Sequence, residues 1–96
     1  MTRRSEARVE TRQAERYVGQ ICKHFAHRLP VDYAGARGRI AFPFGACTLD
    51  VEGHVLTLRA EAPDDGLLAQ LELVMQKHLM RVAFRDRPEI DWIRAD

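Results

Sequence analysis

Seven consecutive residues, Cys22-Lys23-His24-Phe25-Ala26-His27-Arg28, bring together two imidazoles, a thiol and two cations, and Cys47, His54 and His78 follow further along the chain. Cysteine and histidine are the usual ligands of zinc, and a tetrahedral site needs three or four of them to converge. On a helix, at about 100° per residue, Cys22 and His24 point roughly 160° apart, whereas His24 and His27 lie only roughly 60° apart. The two histidines are therefore able to share a metal ion, and the cysteine is poorly placed to join them.

His78 falls on an otherwise apolar helical stripe between Met75 and Val82, where an imidazole requires a hydrogen-bond partner. If His24 and His78 meet across two helices, they form with His27 a candidate metal site. Arg28 and Arg81 would then supply guanidinium donors for an anionic ligand. The plainer alternative makes His24 a boundary histidine satisfied by the backbone and His27 a solvated one. Cys22 and Cys47 read as small core hydrophobes, because free cysteine is among the most buried residue types. As a redox pair they would need exposure and a lowered thiolate pKa.

Asp32, Asp50 and Asp91 could do acid–base work if the fold assembled them, but nothing in their spacing requires it. Arginines cluster at Arg3, Arg4, Arg8, Arg12 and Arg16 and again at Arg81, Arg85 and Arg87. Either group could hold a phosphate or carboxylate, although most such runs are solvated faces. The chain holds no Gly-rich phosphate loop, GxSxG elbow, HExxH or CxxC pattern.

The elements that must position these residues follow from the periodicity. Residues 5–10 alternate as a short strand, and Thr11 is placed to cap a helix running to Leu29 before Pro30 stops it. Strand patterns follow at 31–33, 39–42, 46–51 and 54–60, separated by Gly- and Pro-containing turns. Within them Ile40 and Phe42, then Cys47, Leu49 and Val51, then Leu56 and Leu58 recur at period two, so one sheet face is buried. The other face carries Arg39, Thr48, Asp50, Thr57 and Arg59. Pro63, Asp64 and Asp65 begin a second helix, with the proline in its first turn, that runs to about Phe84. Residues 89–94 add a last strand or an ordered tail.

The expectation is an α+β domain spanning the whole chain, an antiparallel sheet of about five strands with two amphipathic helices packed on one face. The order is β-α-β-β-β-β-α with an optional final strand, and it resembles one half of a TATA-binding-protein-like fold. Ninety-six residues leave no room for a second core. The formal charge of +1 provides no global field toward nucleic acid or an anionic membrane. All but two of the 15 basic residues are arginine, the exceptions being Lys23 and Lys77. The aromatics fall where a core needs them rather than interleaved with a basic patch, which also speaks against nucleic acid. No apolar run approaches the ~18 residues of a membrane span, and no signal-peptide core follows the N-terminus. A cytoplasmic protein with reduced thiols is expected.

The segments Ile21–Arg28, Gly45–Leu49, His78–Arg85 and Asp91-Trp92 resemble a bacterial family of domains of unknown function, DUF2218. The likeness covers nearly the whole chain. In that family the first helix reads Cys-Lys-His-x-x-His, and the second ends His-Leu-x-Arg-Phe-Ala-Phe-Arg, with Val82 here at the first Phe. The resemblance implies no established activity; it does imply neighbourhood with iron–siderophore uptake systems and, for some members, an aldolase assignment. A Schiff-base aldolase would need a desolvated lysine, for which only Lys23 and Lys77 are available. The (β/α)₈ barrel of such enzymes takes typically about 250 residues.

Taken together, the residues point to a small binding or accessory protein, monomeric or homodimeric. Its site is expected around His24, His27, Arg28, His78 and Arg81, for a metal ion or an anionic, iron-chelating ligand. A thiol- or metal-dependent enzyme using Cys22 or Cys47 and a protein–protein interaction module are the alternatives.

Overall fold

The computed structural model describes residues 2–95. Its elements run β1 (Arg3–Glu10), α1 (Ala14–Ala26), β2 (Val31–Ala34), β3 (Arg37–Phe42), β4 (Gly45–Glu52), β5 (Val55–Ala62), α2 (Asp65–Val82) and β6 (Ile93–Arg94). The protein is α+β: six antiparallel strands form one sheet in the order β2-β3-β4-β5-β1-β6, with both helices on one face. The sixth strand is the optional C-terminal one. It is shorter than the 89–94 segment, because only Ile93 and Arg94 pair with Glu6 and Ser5.

Period-two patterning sets the layers. Ile40, Cys47, Leu49, Leu56 and Leu58 point beneath the helices and are fully buried. Ala7 and Val9 extend that surface on β1, opposite Leu58 and Leu56. Against it α1 lays Val18, Ile21, Cys22 and Phe25, and α2 lays Leu68, Leu71, Met75 and Leu79, so that one continuous core results. Each fully buried Leu, Ile or Met contributes roughly 1.5–3 kcal/mol through removal of apolar surface from water.

Both flanking hairpins turn through glycine. Gly35 (φ 60°) and Gly53 (φ 61°) each begin a two-residue connection, between Ala34 and Arg37 and between Glu52 and Val55. That left-handed conformation at the first loop position costs a residue with a Cβ, and matches the twist of the strands it joins.

The helix ends differ from the sequence expectation. Thr11 does not cap α1; Gln13 occupies the cap position without a side-chain hydrogen bond. The Thr11 hydroxyl instead accepts from the Gln13 N–H at 3.1 Å and donates to Asp86 at 2.9 Å. The helix stops at Ala26 rather than Leu29. At the start of α2 the cap is Asp64, whose carboxylate accepts from the Leu67 N–H at 2.8 Å, and Pro63 precedes the helix rather than sitting in its first turn. Asp64 wins because its extended backbone (φ −146°, ψ 171°) aims the carboxylate at the orphan donors of the first turn. The helix ends at Val82, two residues before Phe84.

Candidate functional site

The last turn of α1 carries His24 and the later turns of α2 carry His78. The helices meet there, and the two imidazole centroids lie 4.8 Å apart, inclined at 46°. Phe25 forms the floor, 4.6 Å from the His78 ring and 5.4 Å from His24, and continues edge-on into Phe42 at 5.4 Å. This aromatic seam lines the core between α1, α2 and the end of β3.

His78 is half-buried, and its Nδ1 lies 2.8 Å from the Val74 carbonyl, one helical turn back. A carbonyl only accepts, so this contact places the proton on Nδ1 and leaves the Nε2 lone pair available in the neutral ring. His24 is exposed. Its pKa is held below the usual histidine value, first by partial desolvation and then by the positive charge of His78, Arg81, His27 and Arg28. All five residues singled out in the sequence thus act within one electrostatic neighbourhood.

A second physical effect operates there. Cations in a last helical turn compensate the negative end of the helix dipole, and Lys23 in α1 and Arg81 in α2 both occupy such turns. That accounts for cations at the two helix ends. It does not account for two tilted imidazoles in contact across the helix crossing.

Two imidazoles, the exposed His27 and the guanidiniums of Arg28 and Arg81 can accept a proton, donate to an anion or contribute nitrogen ligands. Among the described residues no group of three or more His, Cys, Asp and Glu side chains is placed to hold a metal ion. A metal at the His24–His78 pair would therefore draw its remaining ligands from the molecule it arrived with.

The thiols lie elsewhere. Cys22 is 1% and Cys47 0% exposed, and both are free. Burial raises the pKa of each, that of Cys47 to about 12. An activated thiolate requires the opposite shift. His54 sits in the β4–β5 turn, where its backbone carbonyl accepts from the Thr11 N–H at 2.7 Å. Asp50 pairs with Arg37 at 2.8 Å and with Arg59 at 3.0 Å, whereas Asp91 lies in the segment after α2, so the three aspartates are not assembled. Of the arginine clusters, Arg3 pairs with Asp65 at 2.7 Å, Arg4 and Arg8 lie on the open sheet face, and Arg85 packs over the Phe84 ring.

Sequence reasoning missed Asp86. Its carboxylate accepts from the hydroxyls of both Tyr17 and Thr11, tying the segment after α2 to α1 and to the end of β1. These two hydrogen bonds lower the Asp86 pKa, while burial and the same carboxylate raise that of Tyr17. Separations of 69 and 75 residues leave no local signal for the contact.

Comparison with known proteins agrees with this architecture. The solution structure of PA4090 from Pseudomonas aeruginosa is similar at a TM-score of 0.80 and 34% identity, over 94% of each chain. No match is found among curated proteins. The model of the family described as "Uncharacterized protein conserved in bacteria (DUF2218)" matches residues 6–93, a span that includes both helices and the histidine pair, and the chain belongs to that family.

Proposed function

We propose that this is a small ligand-binding accessory protein, and that the crossing of α1 and α2 holds an anionic ligand, free or as a metal chelate. The observation that carries the reading is the His24–His78 pair, 4.8 Å between centroids, inside the combined positive field of Arg28, His27 and Arg81. An anion there relieves like-charge repulsion and gains charge-assisted hydrogen bonds. A chelated metal would find the His78 Nε2 lone pair, and that of His24, at an open coordination position. On this reading the protein acts in the cytoplasm, where its two buried thiols stay reduced. The enzyme alternative through Cys22 or Cys47 is disfavoured by the upward shift of both thiols.

The test is an NMR titration of the imidazole resonances with citrate, ferric citrate and Zn²⁺. Saturable shifts at His24 and His78 with citrate or its chelate, abolished in His78→Ala and weakened about tenfold in Arg81→Ala, are expected. Shifts that do not saturate, or that survive both substitutions, overturn the proposal.

A further inference from the structure

The sheet face turned away from the helices is not uniformly covered. Its central strand β4 presents Ala46 and Thr48, both short. The strands beside it carry long side chains at three of the four paired positions, Arg39 opposite Thr48 on β3 and Arg59 and Glu61 opposite Thr48 and Ala46 on β5, whereas Ala46 faces the equally short Ala41 on β3. On β1, Arg4 and Glu6 stand opposite Glu61 and Arg59. A row of short residues between rows of long ones leaves a trough, here a hollow of about 530 Å³. The hollow extends across β5 and β1 to β6, where Ile93, 73% exposed, lines its far side.

The charges around this trough are unequally matched. Arg59 is satisfied twice, by Glu6 and by Asp50, each at 3.0 Å. Arg94 turns to α2, pairing with Glu72 at 3.1 Å. Arg4 and Arg39 share a single carboxylate, Glu61, at 3.5 and 3.9 Å, and neither makes a hydrogen bond to it. Two guanidiniums with one loosely held counter-ion leave planar N–H donors facing a cavity whose floor is a methyl-bearing strand.

We propose that this trough is a second binding site, independent of the histidine pair, for an organic anion with a flat apolar body: a carboxylate or phosphate ester whose head group bridges Arg4 and Arg39 while its body lies over Ala46 and Thr48. The volume falls within the range of small-molecule sites, roughly 300–1,000 Å³. The head group completes the guanidinium hydrogen bonds that Glu61 leaves unmade, and the body withdraws its own apolar surface from water onto the Ala46 and Thr48 methyls. A purely ionic solute gains only the first of these and a neutral aromatic only the second, so the site selects the combination.

The experiment is a backbone-amide NMR titration of the full chain with 2-naphthoate, 2-naphthyl phosphate, 2-naphthylmethanol and inorganic phosphate. Saturable shifts centred on Ala46 and Thr48, with a Kd at or below about 1 mM for at least one naphthyl anion and at least about tenfold weaker binding of the alcohol and of phosphate, are expected. The two naphthyl anions distinguish a carboxylate from a phosphate ligand. Arg4→Ala and Arg39→Ala, both exposed and free of core contacts, each weaken binding about tenfold, and Thr48→Tyr, which fills the trough, abolishes it. His78→Ala leaves it unchanged, separating this site from the helix crossing. The proposal is overturned if neither anion saturates, if the alcohol binds as tightly, or if Arg4→Ala and Arg39→Ala bind as the unaltered protein does.

Discussion

His24 carries a titration that can be read as stability. Its pKa in the folded protein lies below the ordinary histidine value, so the folded form binds fewer protons than the unfolded chain between the two. Stability is therefore full above about pH 6.5 and declines as the pH falls through the unfolded value toward the folded one. Urea midpoints measured at pH 7.5 and pH 5.5 should fall more for the unaltered protein than for His24→Gln; equal falls would contradict the electrostatic account of this residue. The two thiols permit a second measurement. With burial pushing Cys47 to about 12 and Cys22 upward as well, alkylation by iodoacetamide in the native state should proceed only through global opening. Labelling rates that rise in step with added urea are expected; rapid labelling in its absence would mean that the sheet opens locally over these residues. The burial behind both shifts is legible in the sequence, where the two cysteines read as core residues; the packing of α1 on β3 that closes over Cys22 is not.

Between elements, that packing depends on a glycine. A Cβ at Gly38 on β3 would overlap the Cys22 sulfur on α1. Gly38→Ala should destabilise the protein by about 1–3 kcal/mol through overpacking, and Gly38→Ala with Cys22→Ser or Cys22→Ala should recover part of the loss. A double variant no more stable than the single one would place the strain elsewhere. The segment after α2 is held differently, by Asp86 beneath the Tyr17 and Thr11 hydroxyls. Its lowered pKa means that this contribution is present above the ordinary aspartate range and is lost as the pH falls through the folded value. Asp86→Asn should thus lower the urea midpoint at pH 7, with a difference that closes as the unaltered protein is acidified below about pH 4. A difference that persists at low pH would show that shape rather than charge is what Asp86 contributes. The helix stripes and strand alternation foretold which faces meet, because burial imposes a strict period on each element. The caps were misassigned, because Thr11 and Pro63 have the right types for helix starts but their backbone geometry and distant partners decided otherwise.

For the whole molecule, one continuous core joins both helices to the sheet, and unfolding should be a single cooperative transition. Trp92, packed against that core from the C-terminal segment, provides a fluorescence probe to set against far-ultraviolet circular dichroism. Coincident urea midpoints are expected, and an earlier fluorescence midpoint would identify the C-terminal segment and β6 as a separately melting unit. Length, composition and periodicity determined by themselves that the chain is α+β, that one sheet face is buried and that both helices cover it, since a 96-residue chain has few other ways to hide those stripes. Family-like residue patterns also single out His24, His27 and His78. Only the tertiary structure decided that His24 and His78 meet, that Asp86 closes on Tyr17, and that Ala46 and Thr48 leave a trough between Arg4 and Arg39. Those juxtapositions join residues far apart in the chain, and pairing register and helix crossing, which bring them together, are properties of the packed molecule rather than of any local stretch.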